Sequence, residues 1–462
     1  MLDRLRAIWS ATDLRNKILF TIGMLIVYRI VAHVPVPGID PTVLNNALSK
    51  NNSLSQVFGL LSVFSGGSIS NFSIVSLGVY PYITASIVIQ LLQPIIPALN
   101  KMGTEDGEAG RNKLSQITRY VTVPLAFLQA LGQIALFASI GAVDPTKFNL
   151  LNGATFVSTL ATLITMTTGV MFLVWIGEII TESGIGNGIS LIIFTGILSK
   201  VPAGLQQLFA ASGTGATTGA SSSSGTTNAL FSLVLIGIVI VVLIYIIVYV
   251  SNAQRRVPVQ YPAKRSLGGR RGLMETRQSS YIPMPVNQGG MIPLIFAQSL
   301  LLFPVILASY LAVGTNPIGW LRTTFSWLQL QLDPSGWVYP LAFFLLVFAF
   351  TFFYSTILWE QQNMGDNLRK QGAFIPGVRP GGDTSRYLEK VLIRITLGGA
   401  LFLGAIAISP YMLTAFHIVH GSSTTTNLLS AASIIIVVQV ALDTMKQVQA
   451  QVVMRNYTGF LR

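Results

Sequence analysis

The sequence predicts an all-α polytopic membrane protein with ten transmembrane helices in two five-helix halves. Three observations predict it. Hydrophobic residues fill 51% of the 462 positions and charged residues only 10%, against about 25% charged in soluble domains, and the mean hydropathy is +0.63. Apolar runs of the roughly 20 residues needed to cross a bilayer core recur along the chain. Two hydrophobic segments broken by Gly and Pro take the second and seventh places, which correspond when the spans are divided five and five.

The first span is Ile18–Val34. Met1–Asn16 before it is too polar for a cleavable signal peptide, so the reading is of an uncleaved first span. The first broken segment follows as Phe58–Phe72 and Ile74–Ile96, interrupted at Ser65-Gly66-Gly67, Gly78 and Pro81. Phe58–Phe72 is too short and too rich in Gly and Ser to cross, so a re-entrant helix packed inside the protein is expected. Tyr120–Ile140, Phe156–Ile180 and Ile189–Phe209 complete the first half, the last being interrupted by Lys200 and Pro202. A Gly/Ser/Thr-rich external stretch reads as a flexible linker. Its core at 216–228 separates an N-terminal half (1–215) from a C-terminal half (229–462). The second half carries Leu230–Val250, the broken segment Met291–Val313 with Gly289-Gly290, Pro293 and Pro304, then Trp337–Leu358, Val391–Leu413 and Leu428–Thr444. Broken spans at matching places of two halves point to a transport path between inverted repeats, because irregular backbone survives in lipid only where protein or a water-filled cavity satisfies it.

Charge sets the orientation. Of the 29 Lys and Arg, only Lys50, Lys147, Lys200 and Arg322 fall outside and Arg29 within the first span when both termini are cytoplasmic. That bias fixes topology. Two inner loops, 251–288 and 359–390, are long and basic. The first holds Arg255, Arg256, Lys264, Arg265, Arg270, Arg271 and Arg277 against Glu275 alone; the second holds Arg369, Lys370, Arg379, Arg386 and Lys390. Topogenic charge and lipid contact account for some of this. The loop lengths favour a docking platform for a polyanionic or acidic partner.

Several functions are disfavoured. The chain has no Cys and three His, namely His33, His417 and His420, so neither disulfides nor a thiolate metal site is expected. Ion-coupled transporters keep a charge near mid-membrane. Here Glu178, Glu182 and Asp443 sit at inner ends and Arg29 towards an outer end, which argues against a solute transporter built from inverted repeats. Gly184-Ile185-Gly186-Asn187-Gly188 is glycine-rich but links two helices, and Ser190 has no neighbouring His to activate it. Catalysis and cofactors are not expected.

The runs Ser76-Leu77-Gly78-Val79-Tyr80-Pro81-Tyr82-Ile83-Thr84-Ala85-Ser86, Gly177-Glu178-Ile179-Ile180-Thr181-Glu182-Ser183-Gly184-Ile185-Gly186-Asn187-Gly188, Asp366-Asn367-Leu368-Arg369-Lys370-Gln371-Gly372-Ala373-Phe374-Ile375-Pro376-Gly377 and Val34-Pro35-Val36-Pro37-Gly38-Ile39-Asp40 resemble signatures of the SecY family. The resemblance extends from about Leu14 to Val453. It implies a protein-conducting channel of two inverted five-helix halves, opening sideways between the second/third and seventh/eighth spans in a bacterial plasma (inner) membrane. By position it implies a waist ring of Val79, Ile83, Ile193, Ile295 and Ile436. The family more often has Ile at the first of these, so a slightly looser ring is expected. The resemblance also implies a plug helix at about 61–73 including Ser65, Gly66, Gly67, Ser68 and Ile69, and docking of a SecA motor ATPase or a ribosome on Arg255, Arg256 and Arg379. Small SecE-like and SecG-like membrane subunits, signal sequences, nascent polypeptides and the lipid bilayer are the partners it implies.

Overall fold

A computed structural model describes residues 12–36, 65, 67–69, 72–104, 107–139, 153–202, 206, 224–261, 279–313, 336–362, 364–415 and 431–458. Helices dominate. In chain order they are α1 (Thr12–Val31), α2 (Tyr80–Leu92), α3 (Pro97–Thr104), α4 (Gly107–Ser139), α5 (Gly153–Ser183), α6 (Gly188–Leu198), α7 (Ser224–Asn252), α8 (Ile292–Val313), α9 (Val338–Gln362), α10 (Met364–Lys370), α11 (Gly382–Ala415) and α12 (Ala431–Thr458), with strands β1 (Gln254–Gln260) and β2 (Ser279–Pro285) between α7 and α8.

Among the described residues three runs are long and apolar enough to cross a membrane, Phe156–Ser183, Val338–Lys370 and Gly382–Met412. The span expected at Ile74–Ile96 differs. Ile74–Val79 forms turns, α2 begins only at Tyr80, and it meets Pro97–Gly103 at a 106° bend. Pro97 lacks the N–H that continued helix would need. The second broken segment is broken less than expected. Its glycines precede α8, with Gly290 at φ +59, Pro293 lies in the first turn where its missing N–H costs nothing, and Pro304 alone falls inside the helix. The external linker is also shorter than expected: α7 starts at Ser224, inside the stretch 216–228, since Ser and Thr are good helix initiators ahead of an apolar run. The rest of 216–228 lies outside the described residues.

Packing divides the helices into two sets. α2, α4, α5 and α6 pack in succession, with α1 against α5 and α6; α8, α9, α11, α12 and α7 form the second succession. The sets meet where α2 and α4 lie against α8, where α6 lies against α12, and where α3, packed on α4, touches α9. One large apolar cluster runs through both sets. Close approach is built from glycine: a Cβ at Gly169 would overlap the Ile74 carbonyl, and one at Gly404 would lie 2.6 Å from the Phe344 ring.

The turn between α5 and α6 explains its glycines. Gly186 has φ +89, a region that glycine enters without steric cost. Its backbone donors are taken by protein oxygens: Ile185 N–H donates to Thr21 Oγ1 (3.1 Å), Gly186 N–H to Gln447 Oε1 (2.9 Å) and Gly188 N–H to Thr181 Oγ1 (2.9 Å). A phosphate loop needs those donors free; here they lock the turn to α1, α12 and α5. Asn187 caps α6 by accepting from Ser190 N–H. Asn187→Ala is expected to cost about 1 kcal/mol, read as a lower thermal midpoint of the solubilised protein; an unchanged midpoint would show that the cap adds nothing here.

Candidate functional site: an aliphatic waist, its seal and a basic platform

Four helices deliver the aliphatic residues singled out in the sequence. Val79 and Ile83 bracket the first turn of α2, which Gly78 (φ +59) turns into the helix. Ile193 lies in the middle of α6, Ile295 in the first turn of α8 and Ile436 in α12. All five are buried, between 0 and 6% exposed, in the large apolar cluster. Side chains that carry no hydrogen-bonding group can close on one another without a polar penalty and can part without leaving a broken bond.

Polar groups flank this cluster at a distance of one or two turns. Gln129 Nε2 donates to Thr84 Oγ1 (3.1 Å) and Ser251 Oγ to Gln439 Oε1 (3.1 Å). Below Ile436, on successive turns of α12, Val440, Asp443, Thr444 and Gln447 line a cavity of about 300 Å³ with Asn187, Ser190, Met291 and Lys446. The arrangement is an apolar cluster giving on to a polar chamber at the N-terminal ends of α6 and α8. Arg119 and Glu178 pair at 2.9 Å between α4 and α5, so the acid expected near an inner end has a cation beside it.

The segment expected as a plug helix at 61–73 is made of turns where it is described. Ser68 N–H donates to Ser65 O, Phe72 N–H to Ile69 O and Ser73 N–H to Ser68 O. Helix is excluded at Gly67 (φ +85) and Phe72 (φ 42), which sit in the left-handed region. Ser65, Ser68 and Ile69 are buried, and Gly67 lies against Lys200, whose Cε is 3.2 Å from where a Cβ would stand. Gly66 and 61–64 lie outside the described residues. The segment is tied to the end of α1: Val36 N–H donates to Phe72 O, Ile74 N–H to Val34 O, and the Tyr28 hydroxyl to Ser65 O at 3.4 Å. Phe72 also packs edge-on to Phe137 at 4.6 Å.

The described parts of the two basic loops form one platform, an association that sequence reasoning missed. β1 and β2 pair antiparallel, with Arg255 opposite Met284 and Val257 opposite Ile282. Gln260 bridges to Phe374 of the second loop. Val257, Val259 and Met284 bury themselves against Leu368, Ala373, Ile375 and Leu388. The alternation Val257-Pro258-Val259 was the available signal, since residues two apart share a strand face. Arg255, Arg256 and Arg379 are all exposed, and Arg256 stacks over Tyr281 at 4.8 Å.

Comparisons with known proteins bear on the fold and the family. The SecY family model matches residues 73–445. The protein translocase subunits SecY of Mycobacterium bovis and Streptomyces scabiei are 37% and 39% identical, covering 97% and 100% of both chains; that of Synechococcus elongatus is 39% identical over 98% of this chain and 95% of its own. Among solved structures, one described as a protein conducting channel superposes with a TM-score of 0.60 at 16% identity, covering 94% of this chain and 91% of its own. Sec61 from the canine ribosome-channel complex gives 0.57 at 16% over the same shares. At such identities the structures speak for the fold alone.

Proposed function

The chain belongs to the SecY family, and from that premise we propose that it is a protein-conducting channel that passes unfolded secretory polypeptides across the bacterial inner membrane and releases apolar segments sideways into lipid. The observation that carries the working part is the burial of Val79, Ile83, Ile193, Ile295 and Ile436 from four helices in one cluster. In this reading ten spans form two inverted halves, corresponding to the two packed sets, and the five residues are the waist. An aliphatic waist accepts an extended chain of any sequence, because it makes no specific bond, and resists wetting when empty.

The turns at 65, 67–69 and 72–73, held by Tyr28 and the end of α1, act as the plug over the outer side of the waist. The seam of α2 and α4 against α8 is the lateral exit. A segment exposed there partitions into lipid by its transfer free energy, about −0.3 to −0.6 kcal/mol for each Leu, Ile, Phe or Val at mid-helix. The chain supplies no energy source of its own. A SecA-type motor ATPase or a ribosome docks on the platform of Arg255, Arg256 and Arg379, and small SecE-like and SecG-like subunits complete the channel. The solved Sec61 of the canine ribosome-channel complex supports the ribosome as one such partner.

The absence of natural Cys gives a direct test. Single cysteines at Ile83 and Ile295 are expected to crosslink to a stalled preprotein of defined length, while one at Ile26, 55% exposed on α1, is not. Docked preprotein that crosslinks at neither waist position would put the path elsewhere.

A further inference from the structure

Three of the waist residues have a neighbour one helical turn away that faces a single cavity. Ser190 precedes Ile193 on α6, Met291 precedes Ile295 at the start of α8, and Val440 follows Ile436 on α12. All three line the chamber of about 300 Å³. It therefore lies one turn from the waist, towards the end of α8 to which the β1–β2 hairpin connects. A chain delivered from the platform side meets it before the waist.

The lining is chemically uneven. Val440 and Met291 are 3% and 7% exposed and offer an aliphatic and a thioether surface. Two of the polar groups are engaged within the protein: Asn187 Oδ1 accepts from Ser190 N–H (3.1 Å) and Ser190 Oγ (3.2 Å), and Gln447 Oε1 from Gly186 N–H (2.9 Å). Asp443 is the one carboxylate among the described lining residues. It is exposed, and Gln439 Nε2 reaches its Oδ1 only at 3.4 Å. Lys446 shares the wall, yet among the described residues the two form no ion pair.

The side chain that suits this lining is long, apolar along its stem and positive at its tip. Lys and Arg lay their methylene stems on apolar surface and keep the charged head in a polar setting. Methionine adapts to stems of different shape. Asp443 supplies the counter-charge, repels a Glu or Asp at the same place, and gives Gln a weaker bond than it gives a cation.

We propose that the chamber is a subsite for one Lys or Arg side chain of the passing polypeptide, with Asp443 as its counter-ion and Val440 and Met291 against its stem. This rests on the channel reading above. Asp443 then discriminates among segments by charge, which the aliphatic waist does not. Lys446 competes for the same carboxylate and limits how firmly the subsite holds.

The test uses the full channel with its small subunits and motor ATPase in proteoliposomes. Thr444→Cys places a thiol in the chamber wall of the cysteine-free chain. Stalled preproteins carry one cysteine beside either a single Lys or a single Gln in an otherwise neutral stretch. Crosslinking is expected to be about threefold higher beside Lys, the size of a partly exposed charge pair, and the preference should shrink as salt is raised. Asp443→Asn should bring the Lys:Gln ratio to one, Asp443→Glu should keep it, and Lys446→Gln should raise it. Equal crosslinking of the two preproteins, or a ratio that survives Asp443→Asn, overturns the subsite. Should the Asp443→Asn channel not accumulate, Lys446→Gln decides, and an unchanged ratio there overturns the subsite too. Silence at Thr444→Cys with crosslinks at Ile83→Cys also overturns it and spares the channel reading. Silence at Ile83→Cys and Ile295→Cys as well would sink the channel reading itself.

Discussion

Replacing Ile83 and Ile295 together by Ser is expected to make the resting channel leak small ions roughly a hundredfold faster, measured as dye or chloride efflux from sealed proteoliposomes. Burying an isoleucine side chain is worth about 1.5–3 kcal/mol. Losing roughly 1.5 kcal/mol of dewetting at each of two positions lowers the wetting cost by about 3 kcal/mol, at 1.4 kcal/mol per tenfold. The competing effect is damage to the fold, because both side chains are buried and large-to-small changes in a core cost about 2–5 kcal/mol. Val347→Ser separates the two. Val347 is fully buried in the same cluster on α9 but is not a waist residue, so it should lower the thermal midpoint without opening a leak. Equal leaks from both replacements would make the five aliphatics ordinary core.

Gly188→Val is expected to give the largest loss of stability of any single change considered, about 3 kcal/mol or more, seen as failure of the protein to accumulate in membranes. A Cβ at Gly188 would overlap the Gly177 carbonyl, and one at Gly177 would stand 2.9 Å from Ile189 Cγ1. Ordinary overpacking costs about 1–3 kcal/mol when side chains can shift. Here the obstacle is backbone, in a turn whose N–H groups are already bonded to Thr21, Gln447 and Thr181. Gly237→Ala is the contrast. Among the described residues nothing lies within 4 Å of its Cβ position in α7, so the better helix former should be neutral or stabilising by up to about 1 kcal/mol. A Gly188→Val protein that accumulates normally would mean that α5 and α6 can separate freely. That would also loosen Ile193, which α6 carries.

Much of this could be read from residue order. The membrane class followed from 51% hydrophobic and 10% charged residues, because lipid admits so few other compositions. Most helices fell where apolar runs placed them, α5 at Gly153–Ser183 against the expected Phe156–Ile180. Errors gathered where backbone departs from helix. The plug at about 61–73 was expected as a short helix from the family resemblance, yet Gly67 and Phe72 take positive φ where the segment meets the end of α1. The basic loop 251–288 was read as charge alone, and its hairpin went unseen because β1 is stabilised by partners at Met284 and Phe374, far along the chain.

Sequence by itself determined the membrane setting, the apolar runs, the family and the aliphatic character of the proposed waist residues. These depend on composition, period and motif, which are local. Tertiary structure alone decided which residues meet: that Val79, Ile193, Ile295 and Ile436 share one cluster, that the Tyr80 hydroxyl finds the Ser299 carbonyl, and that two loops make one platform. Aliphatic packing and hydrogen bonding to backbone are indifferent to residue identity, since any isoleucine can pack and every residue offers a carbonyl. The partners are therefore chosen by the path of the chain.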